Sequence, residues 1–319
     1  MVKINESTVA VGGGGGVYRL VRFLKRIRTN ITTIQTVFDH GGHSGELRDE
    51  RGVLPPGDLR QAILGLSSDN LEPALRQLMA FRFAPNGNSS LDRATVGNIM
   101  LTALSEITGS LPAGINALCA ICGVEGRVLP VSLDNAELCA VLSDDSVLEG
   151  EGLIDTRSIE DDRYIKSVFL KPKAHIYVEA YRALIEADKI VFCPGDTYTS
   201  LLPNILVDGF KEAVHETKAK LIFCVNIMTK KSETDGYDVT RFTSLLSDHL
   251  CRKLDYVIYN NEPLSPQAIK RYEAEKARPV CFKRIDKAYA HNYIGANLVS
   301  DVGGVVRHHE RVASIIADL

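Results

Sequence analysis

The sequence predicts an α/β fold: a mainly parallel sheet with helices on both faces, carrying a small antiparallel β insertion. Three observations carry this. Short β-branched runs alternate with helical stretches along most of the chain. The runs are largely apolar with imperfect alternation, as expected for strands covered on both faces. Between about Asn135 and Pro172 the rhythm changes to closely spaced strand-like runs without helices between them.

The elements follow in order. "TVAV" (Thr8 to Val11) reads as a first buried strand. Val17, Leu20, Val21, Leu24 and Ile27 then recur at helical spacing. "ITTIQTVF" (Ile31 to Phe38) reads as a second strand. Several helices are expected from Asp58 to Gly109, with Asp58, behind the rigid "PPGD" turn, read either as a cap or as a functional residue. The stretch "DRATVGNIMLTALSEITG" has an acidic start at Asp92 and a glycine stop at Gly109. "RVLPVSL" (Arg127 to Leu133) is another strand. "ELCAVLSDDSVLEGEG" and "DRYIKSVFL" form the antiparallel insertion, residues 135–172, within a single domain spanning 1–319. A strand from Lys189 to Cys193 opens a loop at Pro194-Gly195. "AKLIFCVN" and "LDYVIYNN" are two further strands, "PVCF" (Pro279 to Phe282) is read as the last core strand, and "HHERVASIIADL" as a closing helix.

Composition bounds the function. The 319 residues are 45% hydrophobic and 24% charged, the ordinary globular range. A net charge of -3 and the absence of Trp argue against nucleic acid as a partner. No apolar run reaches the length of a membrane span, and the chain begins without a secretory core, so a cytoplasmic protein is expected. Seven scattered cysteines fit reduced thiols. Cys119 and Cys122 form one CxxC with no second pair, so a zinc site lacks half its ligands; two packed helix residues explain them better.

Five consecutive glycines, Gly12 to Gly16, lie between the first strand and the first helix. Without Cβ atoms, main-chain amides approach a phosphate closely, and the helix start adds its positive dipole end. The dinucleotide fingerprint does not fit. Its third position falls on Val17, Tyr18 or Arg19 in the three possible registers. No Gly-Lys-Ser or Gly-Lys-Thr follows, which argues against a P-loop. A second glycine loop, "FDHGGHSGELRDERGVLPPGDLRQAI", follows the second strand. Asp39, His40, Gly41, Gly42, His43 and Ser44 should lie beside the first loop, because adjacent parallel strands open into one crevice. A Mg²⁺ bridging Asp39 and a ligand diphosphate is favoured over a histidine-held transition metal. His308 and His309 are set aside as remote in sequence. No nucleophile-elbow motif surrounds Ser44, so a serine hydrolase is not indicated. The third loop, "CPGDTYTSLLPN", offers Thr197, Thr199 and Ser200 as donors to a phosphate or sugar.

Seven stretches in order carry a resemblance: "VGGGGGVYRLVRFLKR", "TVFDHGGHSGELRDERGVLPPGDLRQAILGLS", "VGNIMLTALSEITG", "GRVLPVSL", "ADKIVFCPGDTYTSLLPNILV", "CVNIMTKKSETDGY" and "GVVRHHE". Together they closely resemble the gluconeogenesis-factor (YvcK-like) branch of the CofD-like superfamily, whose other branch is the 2-phospho-L-lactate transferase. The resemblance implies a Rossmann-like three-layer α/β/α sandwich that binds a nucleoside diphosphate at the carboxyl edge of the sheet. It implies binding of UDP-sugars such as UDP-N-acetylglucosamine, and a regulatory role linking central carbon metabolism to cell-wall synthesis and cell shape. The alternative it implies is a Mg²⁺-dependent phosphoryl-group transferase using an NDP-linked donor. Gly13, Gly14 and Gly15 would cradle the phosphates. Asp39, Gly41, Gly42 and Ser44 would lie at the diphosphate or metal, Asp39 being the one residue expected in a catalytic or Mg²⁺-binding role. Asn98, Gly195, Thr197 and Asn226 would line the nucleotide or sugar. Tyr272 and Arg307 would close over the ligand, Arg307 by a bidentate grip on phosphate. A homo-oligomer, a dimer, is the expected assembly.

Departures from the family pattern are specific. Gly15 stands where the first loop usually has threonine, His40 where the second has another aspartate, and His43-Ser44 where it has Ser-Ser. Gly195-Asp196-Thr197-Tyr198 replaces Gly-Ser-Leu-Tyr. These changes bear on catalysis and sugar preference more than on phosphate binding. A nucleotide-sugar-binding regulator therefore ranks first and a transferase second. A phosphohydrolase using Asp39, His40 and His43 ranks third.

Overall fold

The structure, a computed structural model, describes residues 6–27, 30–39, 54–85, 87 and 91–319. Among these, seven parallel strands form one sheet in the order β10-β9-β8-β7-β1-β2-β3. They are β1 (Ser7–Gly12), β2 (Asn30–Gln35), β3 (Arg127–Pro130), β7 (Lys189–Phe192), β8 (Lys220–Cys224), β9 (Leu254–Asn260) and β10 (Ala290–Ala296). From β1 the chain runs outward through β2 to β3. From β7 it runs the other way to β10. Crossovers between parallel strands are right-handed, so reversing the direction of travel moves the connecting helices to the opposite face. That reversal gives the two helical layers and a crevice between the carboxyl ends of β1 and β7.

The first helix, α1 (Gly14–Leu24), packs against helix Gly57–Leu66 and the closing helix Arg311–Asp318. Val17, Leu20, Val21 and Leu24 are buried, as their spacing demands. The insertion is a three-stranded antiparallel sheet in which β4 (Glu137–Leu142) pairs with both β5 (Val147–Glu149) and β6 (Ile165–Lys171). Near the end of the chain, β11 (Val299–Val302) and β12 (Val305–His308) form an antiparallel hairpin. Among the described residues no helix is long and apolar enough to cross a membrane. All seven cysteines are free; Cys122 is buried and Cys119 half-buried, and burial pushes the Cys119 thiol up to about 12.

Three expectations are corrected. Pro279–Phe282 is not a core strand: it is irregular, with one bridge from Pro279 to Met228, and β10 takes the sheet edge instead. β10 is exposed at His291 and Asn292, so its residues lack the apolar run that marks a central strand. The helix expected from Asp92 begins at Val96, because Arg93 takes a left-handed backbone conformation (φ 61°) that a helix cannot pass through; it stops at Gly109 (φ 82°) as expected. Asp58 does not cap its helix. Pro56 holds the cap position, and the Asp58 side chain turns away toward β1.

Candidate functional site

The five-glycine run divides into distinct jobs. Gly14 begins α1 with φ at 65°, which a side chain would strain. A methyl group on Gly16 would overlap the carbonyl oxygen of Pro194, so glycine there lets the loop after β7 cross the start of α1. Gly15 faces open space: the nearest atom to an added Cβ would be Gln61 Oε1 at 3.9 Å. The first amides of a helix have no partner within it, so the N–H groups of Gly15 and Gly16 are presented to whatever enters this space.

That space is a pocket of ≈ 470 Å³ at the β1/β7 switch point. Gly15, Gly16, Tyr18 and Arg19 of α1 form one wall, and Pro194, Gly195 and Asp196 of the loop after β7 form another. Asn226, Ile227 and Met228 follow β8, while Tyr272, Val306, Arg307 and His308 close the far side. Asn226 latches the β7 loop: its Oδ1 accepts from Gly195 N–H (3.2 Å) and its Nδ2 donates to Gly195 C=O (2.8 Å). The Tyr272 hydroxyl accepts from Val306 N–H at 3.3 Å and so ties the β11–β12 hairpin to helix Pro266–Glu273.

Charge on the α1 and β12 side of this pocket is positive. Neither Arg19 nor Arg307 makes an ion pair among the described residues, and burial together with Arg307 lowers the Arg19 pKa. Two guanidinium groups facing one cavity repel each other until an anion joins them. Beside them, burial pulls His308 down to about 4 despite its bond to Val225 C=O (3.1 Å), with Arg19 pulling the same way. A carbonyl can only accept, so Nε2 carries the proton and Nδ1 remains an acceptor.

Behind the glycine loop lies a group of acids. A Cβ on Gly13 would collide with the Asp58 carboxylate, and the Gly14 N–H donates to it. Burial raises Asp58 to about 7, and the nearby charge of Asp39 adds to the shift. Arg60 offsets part of this while donating from Nε to Asn98 Oδ1 at 2.9 Å. On the other side of the pocket, Lys230 Nζ sits among Glu233 (2.7 Å), Asp196 (3.3 Å) and Asp155. Those three carboxylates lie within 4.8 Å of one another, but the lysine ammonium already serves as their cation.

Of the residues singled out in the sequence, Gly15, Gly195, Asn226, Tyr272 and Arg307 converge on this pocket. Gly13 and Gly14 lie behind it, against Asp58. Asp39 acts on the same Asp58 carboxylate. Asn98 is buried one layer further back, against Arg60, and Thr197 is buried at the start of a π-helical turn (Thr197–Leu201); neither lines the pocket. His40, Gly41, Gly42, His43 and Ser44 lie outside the described residues. Sequence reasoning missed Arg19 and His308, and for Asp58 it left a capping and a functional role both open. Arg19 had a signal, a cation one turn into a glycine-started helix. His308 was set aside for its distance in sequence, which the β11–β12 hairpin abolishes.

A parallel sheet whose switch point carries a bare-amide helix start, beside two arginines without an ion pair among the described residues, defines a Rossmann-like α/β protein. The model of the family described as 2-phospho-L-lactate transferase CofD matches residues 8–299, and the chain belongs to that family. It is 36% identical over 312 residues to the gluconeogenesis factor of Bacillus subtilis, covering 97% of this chain and 96% of that protein. It is 37% identical over 307 residues to the gluconeogenesis factor of Halalkalibacterium halodurans, covering 95% and 93%. The crystal structure of a UPF0052 family member from Bacillus halodurans superposes with a TM-score of 0.90 at 36% identity, covering 98% of this chain and 99% of that one.

Proposed function

We propose that the protein binds a nucleoside diphosphate sugar, specifically a UDP-sugar such as UDP-N-acetylglucosamine, and acts through that binding as a cytoplasmic regulator of central carbon metabolism, cell-wall synthesis and cell shape. Family membership and the names of its relatives support a regulatory or phosphotransferase-like role. The observation that carries the ligand class is the Arg19–Arg307 pair, without an ion pair among the described residues, lining one pocket with Gly15 and Gly16. A diphosphate supplies the missing negative charge at the place where main-chain donors are free. Tyr18, Ile227, Met228 and Tyr272 offer flat and apolar surface to a base.

Thermal shift tests the reading. UDP-N-acetylglucosamine is expected to raise the melting temperature, since a ligand that binds only the folded state stabilises it. A charge-assisted contact contributes about 1.5–3 kcal/mol, so Arg307→Ala should weaken binding by about 10- to 150-fold. Arg307→Lys should recover only part of this, having lost the fork. No shift with any UDP- or GDP-linked ligand would remove the proposal.

A second reading, Mg²⁺-dependent phosphoryl transfer, draws on Asp39 and Asp58. A carboxyl held up near 7 partly by a neighbouring carboxylate is a pair short of positive charge, and a divalent cation fits that donor chemistry. Such a cation would screen a diphosphate and stabilise charge on a departing phosphate. The chain's own part would be to orient the diphosphate with Arg19, Arg307 and the glycine amides. Incubation with a GDP-linked phospholactate donor and a deazaflavin acceptor distinguishes the readings by product formation.

A further inference from the structure

The pocket is bipolar. Arg19 and Arg307 stand on α1 and β12, whereas Asp196 presents a carboxylate from the loop after β7. Among the described residues no ion pair joins Asp196 to either arginine. Its partner is Lys230, at 3.3 Å. The Asp196 side chain nevertheless stays 46% exposed, so Lys230 fixes it without covering it. Burial alone would lower the Lys230 pKa, but Glu233, Asp196 and Asp155 outweigh this and raise it, so the ammonium persists. Burial and the charge of Asp196 raise Glu233 to about 7, but Asp155 and Asp196 alone outnumber that ammonium, which leaves the cluster with excess negative charge. The excess reaches the far side of the glycine loop, where Asp196 is among the charges that push Asp58 upward.

We propose that Asp196 is a specificity-determining residue, which accepts hydroxyl hydrogen bonds from the group linked to the diphosphate and rejects a second anion there. This inference rests on the nucleoside diphosphate reading of the pocket and deepens it: the linked group is neutral and hydroxyl-rich, such as a hexose. A fixed carboxylate is an acceptor only, so it takes O–H and N–H donors and repels carboxylate or phosphate. A phospholactate-linked donor would bring its own carboxylate into the same cavity. The same acid therefore weighs against the transferase reading.

Calorimetric titration with UDP, UDP-glucose and UDP-glucuronate tests this. UDP alone reports on the diphosphate site, and the two sugars differ by one carboxylate. In the native protein, UDP-glucose should bind about tenfold or more tighter than UDP-glucuronate, and tighter than UDP. Asp196→Ser should bring the two sugars within about threefold of each other, with UDP unchanged or tighter. Asp196→Asn keeps an acceptor but loses the charge. It should relieve the glucuronate penalty while retaining part of the glucose gain, with circular dichroism confirming that both variants fold. If UDP binds and both variants keep the native sugar ratios, the assignment of Asp196 is wrong and the diphosphate site stands. If none of the three binds to the native protein, the functional reading fails and this one with it.

Discussion

Replacing Asp58 by Asn should stabilise the protein at alkaline pH, and by an amount the structure bounds. Asp58 is raised from 3.8 to about 7 by burial and by Asp39. The folded state therefore holds a proton that the unfolded chain releases, and stability must fall as pH rises from about 4 through 7. The full shift corresponds to about 4 kcal/mol, of which about 2.7 kcal/mol accrues between pH ~5 and ~7. The carboxylate is half-buried, so solvent screening reduces this second figure to about 1–2.5 kcal/mol. For 319 residues the unfolding entropy is about 0.67 kcal/mol per K. Asp58→Asn should then gain about 2–4 °C of melting temperature at pH ~8 beyond its difference from native at pH ~5. The amide oxygen can still accept from Gly14, so the loop is kept. Scanning calorimetry at the two pH values is the assay. A difference between variant and native that is the same at both would refute the reasoning. Millimolar Mg²⁺ should stabilise the native protein at the higher pH and leave the variant little changed.

Two other perturbations probe the geometry. Gly16→Ala forces a methyl group onto the Pro194 carbonyl oxygen, and since both are backbone-anchored the loops must separate. The expected loss is about 1–3 kcal/mol together with UDP-sugar binding, read by denaturant titration and thermal shift; an unchanged protein would mean that the two loops do not cross so tightly. His308 is lowered to about 4, so the unfolded state takes a proton that the folded state refuses, and this contribution to stability is present above about 6.5 and lost as pH falls toward 4. Its ring resonances should show no titration between pH ~5 and ~8 by NMR, and a midpoint near 6.5 would contradict its assigned place against Val225.

Much of the fold was legible because the strands of a doubly covered sheet are apolar runs. The β1 loop announced itself by glycines wedged between two such runs. The β7 loop was legible for the same reason: "VFCPGD" ends an apolar run in turn residues. Edge strand β10 was not, since one face of it meets water and its residues read as a loop. The site was legible where a loop carries it and obscure where distant segments meet. Asp58 is the instructive case. In sequence it could be either a cap for its own helix or a functional residue, and only the tertiary contact with Gly13 and Gly14 decides against the cap. His308 and Arg19 are separated by most of the chain, and only the docking of the β11–β12 hairpin brings them together. No periodicity or spacing rule encodes that meeting.

A crystal structure of the protein grown with UDP-N-acetylglucosamine bears most directly on the diphosphate cradle. The expected density has both phosphates within hydrogen-bond reach of the Gly15 and Gly16 amides and the guanidinium groups of Arg19 and Arg307. Density for the nucleotide elsewhere, with those two arginines still facing an empty cavity, would contradict it.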